Sequence, residues 1–196
     1  MLPAGLDPAL SIGTMKFENI SNGLWLFRDS CNVYALEGPA GVLIVNAGTG
    51  RWLEHLDELP AGVAAVACTH YFRDHSAGAR AAADQGIPVF VPEGERDFFE
   101  EPEEHFRRRE TYMYIIYDNL WNLFASIEGI PVAGVLRDYD RVSFAGLELE
   151  VVPLPGATIT QAGLAVELPG GEGKAIFLRG GDPLSRSGPP GRPVPV

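Results

Sequence analysis

Over the first quarter of the chain apolar residues come in short runs set off by glycine and asparagine. Leu24-Trp25-Leu26-Phe27 follows Gly23, Val33-Tyr34-Ala35-Leu36 follows Asn32, and Val42-Leu43-Ile44-Val45 follows Gly41. Runs of this length between turn formers read as sheet strands. Gly48-Thr49-Gly50 then opens a helix, in which Trp52, Leu53, Leu56 and Leu59 recur near helical period. Val63 to Cys68 is uninterrupted, as expected of a strand buried on both faces. An alanine-rich helix is predicted from Ala77 to Gln85, ended by Gly86, and Ile87 to Val91 reads as a further strand.

Residues 93 to 128 break this rhythm and read as a helical insertion. Pro102 starts a helix in which Glu103 faces Arg107 and Glu104 faces Arg108. Tyr112, Met113, Tyr114, Ile115, Ile116, Tyr117, Leu120, Trp121, Leu123 and Phe124 are then too densely apolar for a helix with one wet face. They are expected to pack on the core, or to form a subunit interface or pocket wall. Strands return at Arg141–Phe144, Leu147–Val152, Ala162–Leu168 and Lys174–Leu178. In Leu147–Val152 apolar and acidic residues alternate, so one face should be buried and one wet. Residues 183 to 196, rich in Pro, Gly and Arg, read as a tail or linker.

Charge narrows the functional classes. With 15 Lys and Arg against 26 Asp and Glu, the formal charge of -11 disfavours nucleic acid and anionic membrane surfaces. No apolar stretch approaches the ~20 residues a membrane helix requires, and a cytoplasmic location is expected. Cys31 and Cys68 sit in apolar surroundings and are expected to be buried free thiols.

The chemistry concentrates in four short segments. Thr69-His70-Tyr71-Phe72-Arg73-Asp74-His75 follows one predicted strand, and Val45-Asn46-Ala47-Gly48 follows another. Pro155-Gly156-Ala157-Thr158 and Leu178-Arg179-Gly180-Gly181-Asp182 complete the set. In type, order and placement these segments resemble the signatures of the metallo-β-lactamase superfamily, over roughly residues 17 to 182. The resemblance implies an α/β domain over residues 1 to 182, built as a four-layer αββα sandwich of two mixed β-sheets with a metal cleft at one edge.

It also implies a ligand set, and here the chain departs from the superfamily pattern it resembles. The loop pattern His-x-His-x-Asp-His has phenylalanine, Phe72, where its second histidine is usual. Ala157 stands in the histidine position of the Pro-Gly-His-Thr motif, and Asn46 where an aspartate is usual. Of three first-site histidines only His70 is present. No histidine follows His105, so the second site lacks its last imidazole as well. The surviving set is Asp74, His75 and Asp182, with His70 nearby. It would suit one divalent ion (zinc, manganese or iron), or none. In the metal-free alternative Phe72 fills ligand space, and Asp74 and His75 satisfy each other by hydrogen bonding.

Two functions follow. One is a non-catalytic or weakly catalytic domain with a degenerate metal centre. The other is a hydrolase of an ester, thioester, lactone or phosphoester, with Asp74 in the catalytic role and Arg73 meeting an anionic substrate. A further alternative is the amino-terminal part of a larger hydrolase of this fold. Superfamily domains continue past the Gly-Asp motif, so the final C-terminal elements are expected to be missing, through a natural short form, a domain boundary or an altered reading frame. Each leaves an unpaired edge or uncovered apolar face. A homodimer through that face or the 112–124 aromatic helix is the expected remedy.

Overall fold

The computed structural model describes residues 15–103, 128–168 and 174–177. Among these residues eleven strands form two sheets. The first has seven strands in chain order: β1 (Phe17–Ser21), β2 (Leu24–Arg28), β3 (Asn32–Gly38), β4 (Gly41–Val45), β5 (Val63–Ala67), β6 (Val89–Pro92) and β7 (Gly134–Leu136). Its first four strands pair antiparallel and its last four parallel. The second runs β11 (Lys174–Phe177), β10 (Ala162–Glu167), β9 (Leu147–Pro153) and β8 (Arg141–Phe144). The mixed character expected of both sheets is seen in the first; the second is antiparallel among the described strands.

Side-chain alternation along the central strands builds two cores. Val33, Ala35, Val42, Ile44 and Val66 face one side, with Trp52, Ala79, Ala82 and Phe99 from the helical segments. Tyr34, Leu36, Leu43, Val45, Ala65 and Ala67 face the other, where they meet Leu149, Val151, Leu164, Val166 and Phe177 of the second sheet. The uninterrupted apolar runs of β3, β4 and β5 follow directly, because both of their faces are buried. In β9, Leu149 and Val151 are buried while Glu148 is exposed and Glu150 half-buried, as its alternation predicts. Three layers of the expected sandwich are thus present among the described residues: helices, seven-stranded sheet and four-stranded sheet.

The helices are short. The segment predicted to be helical after Gly50 is a 3₁₀ helix, Arg51–Glu58, kinked at His55 (φ -123°, ψ 21°). The Trp52 indole donates to the Ala47 carbonyl at 2.9 Å, tying this turn to the end of β4. The loop after β5 is not wholly irregular but contains a short helix, α1 (Arg73–Ser76), and α2 (Gly78–Asp84) follows as expected. Gly86 terminates it at φ 82°. A 3₁₀ turn at Glu93–Glu95 leads into α3 (Arg96–Glu100). A helical turn begins at Pro102 and Glu103. The remainder of the helix predicted from Pro102, His105, the 112–124 aromatic segment, Arg179 to Asp182 and the 183–196 tail lie outside the described residues.

No helix among the described residues is long and apolar enough to cross a membrane. Both cysteines are buried free thiols, each next to a strand end rather than inside a strand.

Candidate functional site

In a parallel sheet, loops that follow neighbouring strands emerge at the same edge, where such folds place their sites. Three such loops meet here: Asn46–Gly50 after β4, Thr69–Phe72 leading into α1 after β5, and Glu93–Glu95 after β6. The 154–161 loop after β9 joins them from the second sheet. A separate groove of about 680 Å³ is bounded by Gly38, Pro39 and Gly146 and carries Glu37, Glu148 and Glu167; the four loops do not line it.

The first two loops are locked together by glycine. The Gly78 N–H donates to the Gly48 carbonyl at 2.8 Å, and the Ala47 N–H to the His75 carbonyl at 2.7 Å. A β-carbon on Gly78 would lie 2.3 Å from the Gly50 nitrogen and 2.4 Å from the Ala47 oxygen, so no side chain is tolerated there. Asp29 braces the same turn by accepting from the Thr49 amide (2.8 Å) and hydroxyl (2.7 Å). The Ser30 hydroxyl donates to the Asp74 carbonyl at 2.6 Å.

Asn46 is fully buried in the left-handed region (φ 62°), where asparagine is among the few tolerated non-glycine residues. Its side-chain oxygen accepts from the Thr69 amide at 3.0 Å and from the Thr69 hydroxyl at 2.9 Å. A backbone N–H can only donate, so the amide orientation is determined. The single Thr69 hydroxyl hydrogen is thereby used. Its oxygen, 2.9 Å from His70 Nδ1, must accept from that nitrogen. His70 therefore carries hydrogen on Nδ1. The chain Asn46, Thr69, His70 is the kind of outer support that orients an imidazole.

His70, Asp74 and His75 are brought together only in part. The His70 and His75 rings lie 4.4 Å apart, centroid to centroid, and both are buried. His75 Nδ1 is 3.1 Å from an Asp74 carboxylate oxygen, but the approach lacks hydrogen-bond alignment. Neither His75 ring nitrogen has a hydrogen-bond partner among the described residues, so the mutual satisfaction of Asp74 and His75 expected from sequence is a close contact only. The Asp74 side chain is half exposed. Arg73 is exposed. Asp182 lies outside the described residues. Among those residues no three His, Cys, Asp or Glu side chains converge in a metal-binding arrangement.

Phe72 is half-buried and meets the His70 ring edge-on, with centroids 5.1 Å apart and planes at 67°. It belongs to a run of rings. Tyr71 is perpendicular to Phe72 at 5.1 Å and stacks on Phe98 of α3 at 4.1 Å. Ala157, in the 154–161 loop, is half-buried and donates its N–H to Gln161 Oε1 at 3.0 Å. The first-site set implied by the resemblance therefore does not fit this chain: Phe72 and Ala157 offer no donor, and His70 alone remains.

Glu95 was missed in the sequence. It is fully buried between two loops, accepting the Tyr71 N–H at 2.7 Å and the hydroxyls of Thr158 and, at 3.2 Å, Thr160. Burial pushes its carboxyl above the usual range, while the hydroxyl and amide donors oppose the rise. Its position directly after β6, beside the loop that follows β5, was the available signal. Burial likewise pushes the Cys31 thiol up to about 12, aided by Asp74 and Asp29 and opposed by a hydrogen bond with the Gly48 backbone. Cys68 is also pushed up, chiefly by burial.

No protein-family model matches the chain, and no curated protein matches its sequence. Solved structures do. The chain is similar to the native FEZ-1 metallo-β-lactamase from Legionella gormanii, with a TM-score of 0.64 and 17% identity over 83% of this chain and 62% of that one. BJP-1, a subclass B3 metallo-β-lactamase of Bradyrhizobium japonicum, matches at TM-score 0.61 and 15% identity over 82% of this chain and 60% of its own. GOB-18 from Elizabethkingia meningoseptica matches at TM-score 0.62 and 15% identity, over 82% and 59%. At such identities the likeness establishes the fold. The chain spans about three fifths of the length of these structures.

Proposed function

We propose that this chain, which carries the metallo-β-lactamase fold, is a non-catalytic or weakly catalytic binding module with a degenerate metal centre, taking a small molecule in the cleft between the 69–76 and 154–161 loops. The edge-on packing of Phe72 against His70 carries this reading. A phenyl ring has no lone pair to give, and its apolar surface beside a dication would displace the water or donor atoms that a charge requires. Ala157 removes the facing imidazole. The Asn46–Thr69–His70 hydrogen bonds orient the remaining imidazole without help from an ion. The test is metal analysis of protein purified without chelator. Sub-stoichiometric zinc, manganese and iron, unchanged in Asp74→Ala, is expected; near-stoichiometric metal that disappears in Asp74→Ala would overturn the reading.

A second reading is favoured by His75, whose ring is buried with neither nitrogen hydrogen-bonded among the described residues. Here Asp74, His75 and Asp182 hold one divalent ion, and the protein hydrolyses an ester, thioester, lactone or phosphoester. The ion would supply an activated water. Asp74 would orient the nucleophile, and the exposed Arg73 would receive an anionic group of the substrate. Hydrolysis of a model thioester or lactone that is abolished by chelator and by His75→Ala would support this reading over the first.

A further inference from the structure

We propose that Glu95 is a positioning residue, a buried carboxylate that sets the separation of the 69–76 and 154–161 loops across the cleft. One oxygen accepts the Tyr71 N–H of the first loop at 2.7 Å, and the other accepts the hydroxyls of Thr158 and Thr160 of the second. The residue belongs to neither loop. It stands at the start of α3, so both walls of the cleft are referred to a third element.

Two further observations agree with this role. A β-carbon on Gly94 would lie 2.6 Å from the Thr160 methyl, so glycine lets the second loop close onto the turn that carries Glu95. The Tyr71 ring stacks on Phe98 at 4.1 Å, so the turn and α3 hold the first loop by both backbone and side chain. The roots of the two loops have their own tie, from the Ala162 N–H to the Thr69 carbonyl at 2.9 Å. Glu95 therefore governs the part of the cleft beyond that tie, where Tyr71 and Thr158 flank His70 and Ala157.

The inference rests on the cleft being the functional site, as proposed above, but its readouts need neither metal nor substrate. Failure here leaves the functional reading standing. Amide exchange and side-chain NMR of the whole chain test it in Glu95→Ala, Glu95→Gln and Thr158→Val/Thr160→Val. In Glu95→Ala the Tyr71 amide is expected to exchange at least about tenfold faster, as a buried donor that has lost its acceptor does. Resonances of both loops and of the His70 and His75 rings should move together, with Val151 and Leu164 in the sheet unchanged. Glu95→Gln should restore the wild-type pattern, since its amide can accept from Tyr71 and donate to Thr158. The double valine variant, which keeps Glu95 and covers the case where Glu95→Ala fails to fold, should loosen the 154–161 loop and leave the Tyr71 amide protected. An unchanged Tyr71 amide in Glu95→Ala, no rescue by glutamine, or an unaffected 154–161 loop in the double variant would overturn the proposal.

Discussion

The Phe72 ring stands edge-on to the His70 imidazole, with centroids 5.1 Å apart. An edge-to-face pair of this kind contributes about 0.5–1.5 kcal/mol beyond the area it buries. Its main consequence is chemical. The pair places hydrocarbon where the loop pattern would otherwise supply a second imidazole, and it continues a run of rings from Phe98 through Tyr71 to His75.

Asn46 is expected to matter twice, through its backbone and through its side chain. Asn46→Ala removes the acceptor of two buried donors and places a β-carbon without local hydrogen bonding at φ 62°. Denaturant unfolding should show a loss of about 2–4 kcal/mol. Asn46→Gly relieves the backbone part, so it should cost about 1 kcal/mol less than alanine. If glycine costs more than alanine, the backbone conformation does not contribute as argued.

Glu95 gives the stability a pH dependence of definite sign. Burial raises its folded-state pKa above the usual carboxylate range, so the folded protein holds this proton more tightly than the unfolded chain does. The stabilisation is full below the unfolded pKa and is lost as pH rises through the folded one. Chemical denaturation across that window should show Glu95→Gln losing this fall while matching or exceeding the wild type at neutral pH. Glu58, whose pKa is lowered chiefly by the His55 hydrogen bond, contributes the opposite sign. It is common to both proteins and drops out of their difference. Parallel profiles for the two proteins would contradict the assignment.

The cysteines should be silent while the protein is folded. Burial holds the Cys31 thiol at about 12 and raises Cys68 as well, and the thiolate is the reactive form. Mass spectrometry after iodoacetamide at pH 8 should find neither modified in the native protein and both modified in denaturant. Rapid labelling of native Cys31 would mean that its surroundings open readily.

Much of the fold was legible because the central strands are buried on two faces and therefore read as unbroken apolar runs. The two edge strands of the first sheet were not. In β1, Phe17-Glu18-Asn19-Ile20-Ser21 lies at an edge with one buried side chain, and β7 is three residues long. The turn after Gly50 has helical spacing but kinks at His55, which periodicity cannot register. Of the site, the residues that carry obvious chemistry stood out: His70, Asp74, His75 and the replacements at Phe72 and Ala157. Glu95 did not, because its partners Tyr71 and Thr158 are 24 and 63 residues away and only the parallel order of β5 and β6 brings the first within reach. The Asn46–Thr69 contact spans 23 residues and was hidden for the same reason.

Restoring the absent donors tests the central claim most directly. Zinc titration calorimetry on the wild type and on Phe72→His/Ala157→His, each shown to be folded by circular dichroism, compares the closed site with a reopened one. A gain in affinity of at least about tenfold in the double variant, the scale on which even outer-shell changes act, is the expected result. Tight stoichiometric zinc binding by the wild type, or no gain in the double variant, would contradict the account.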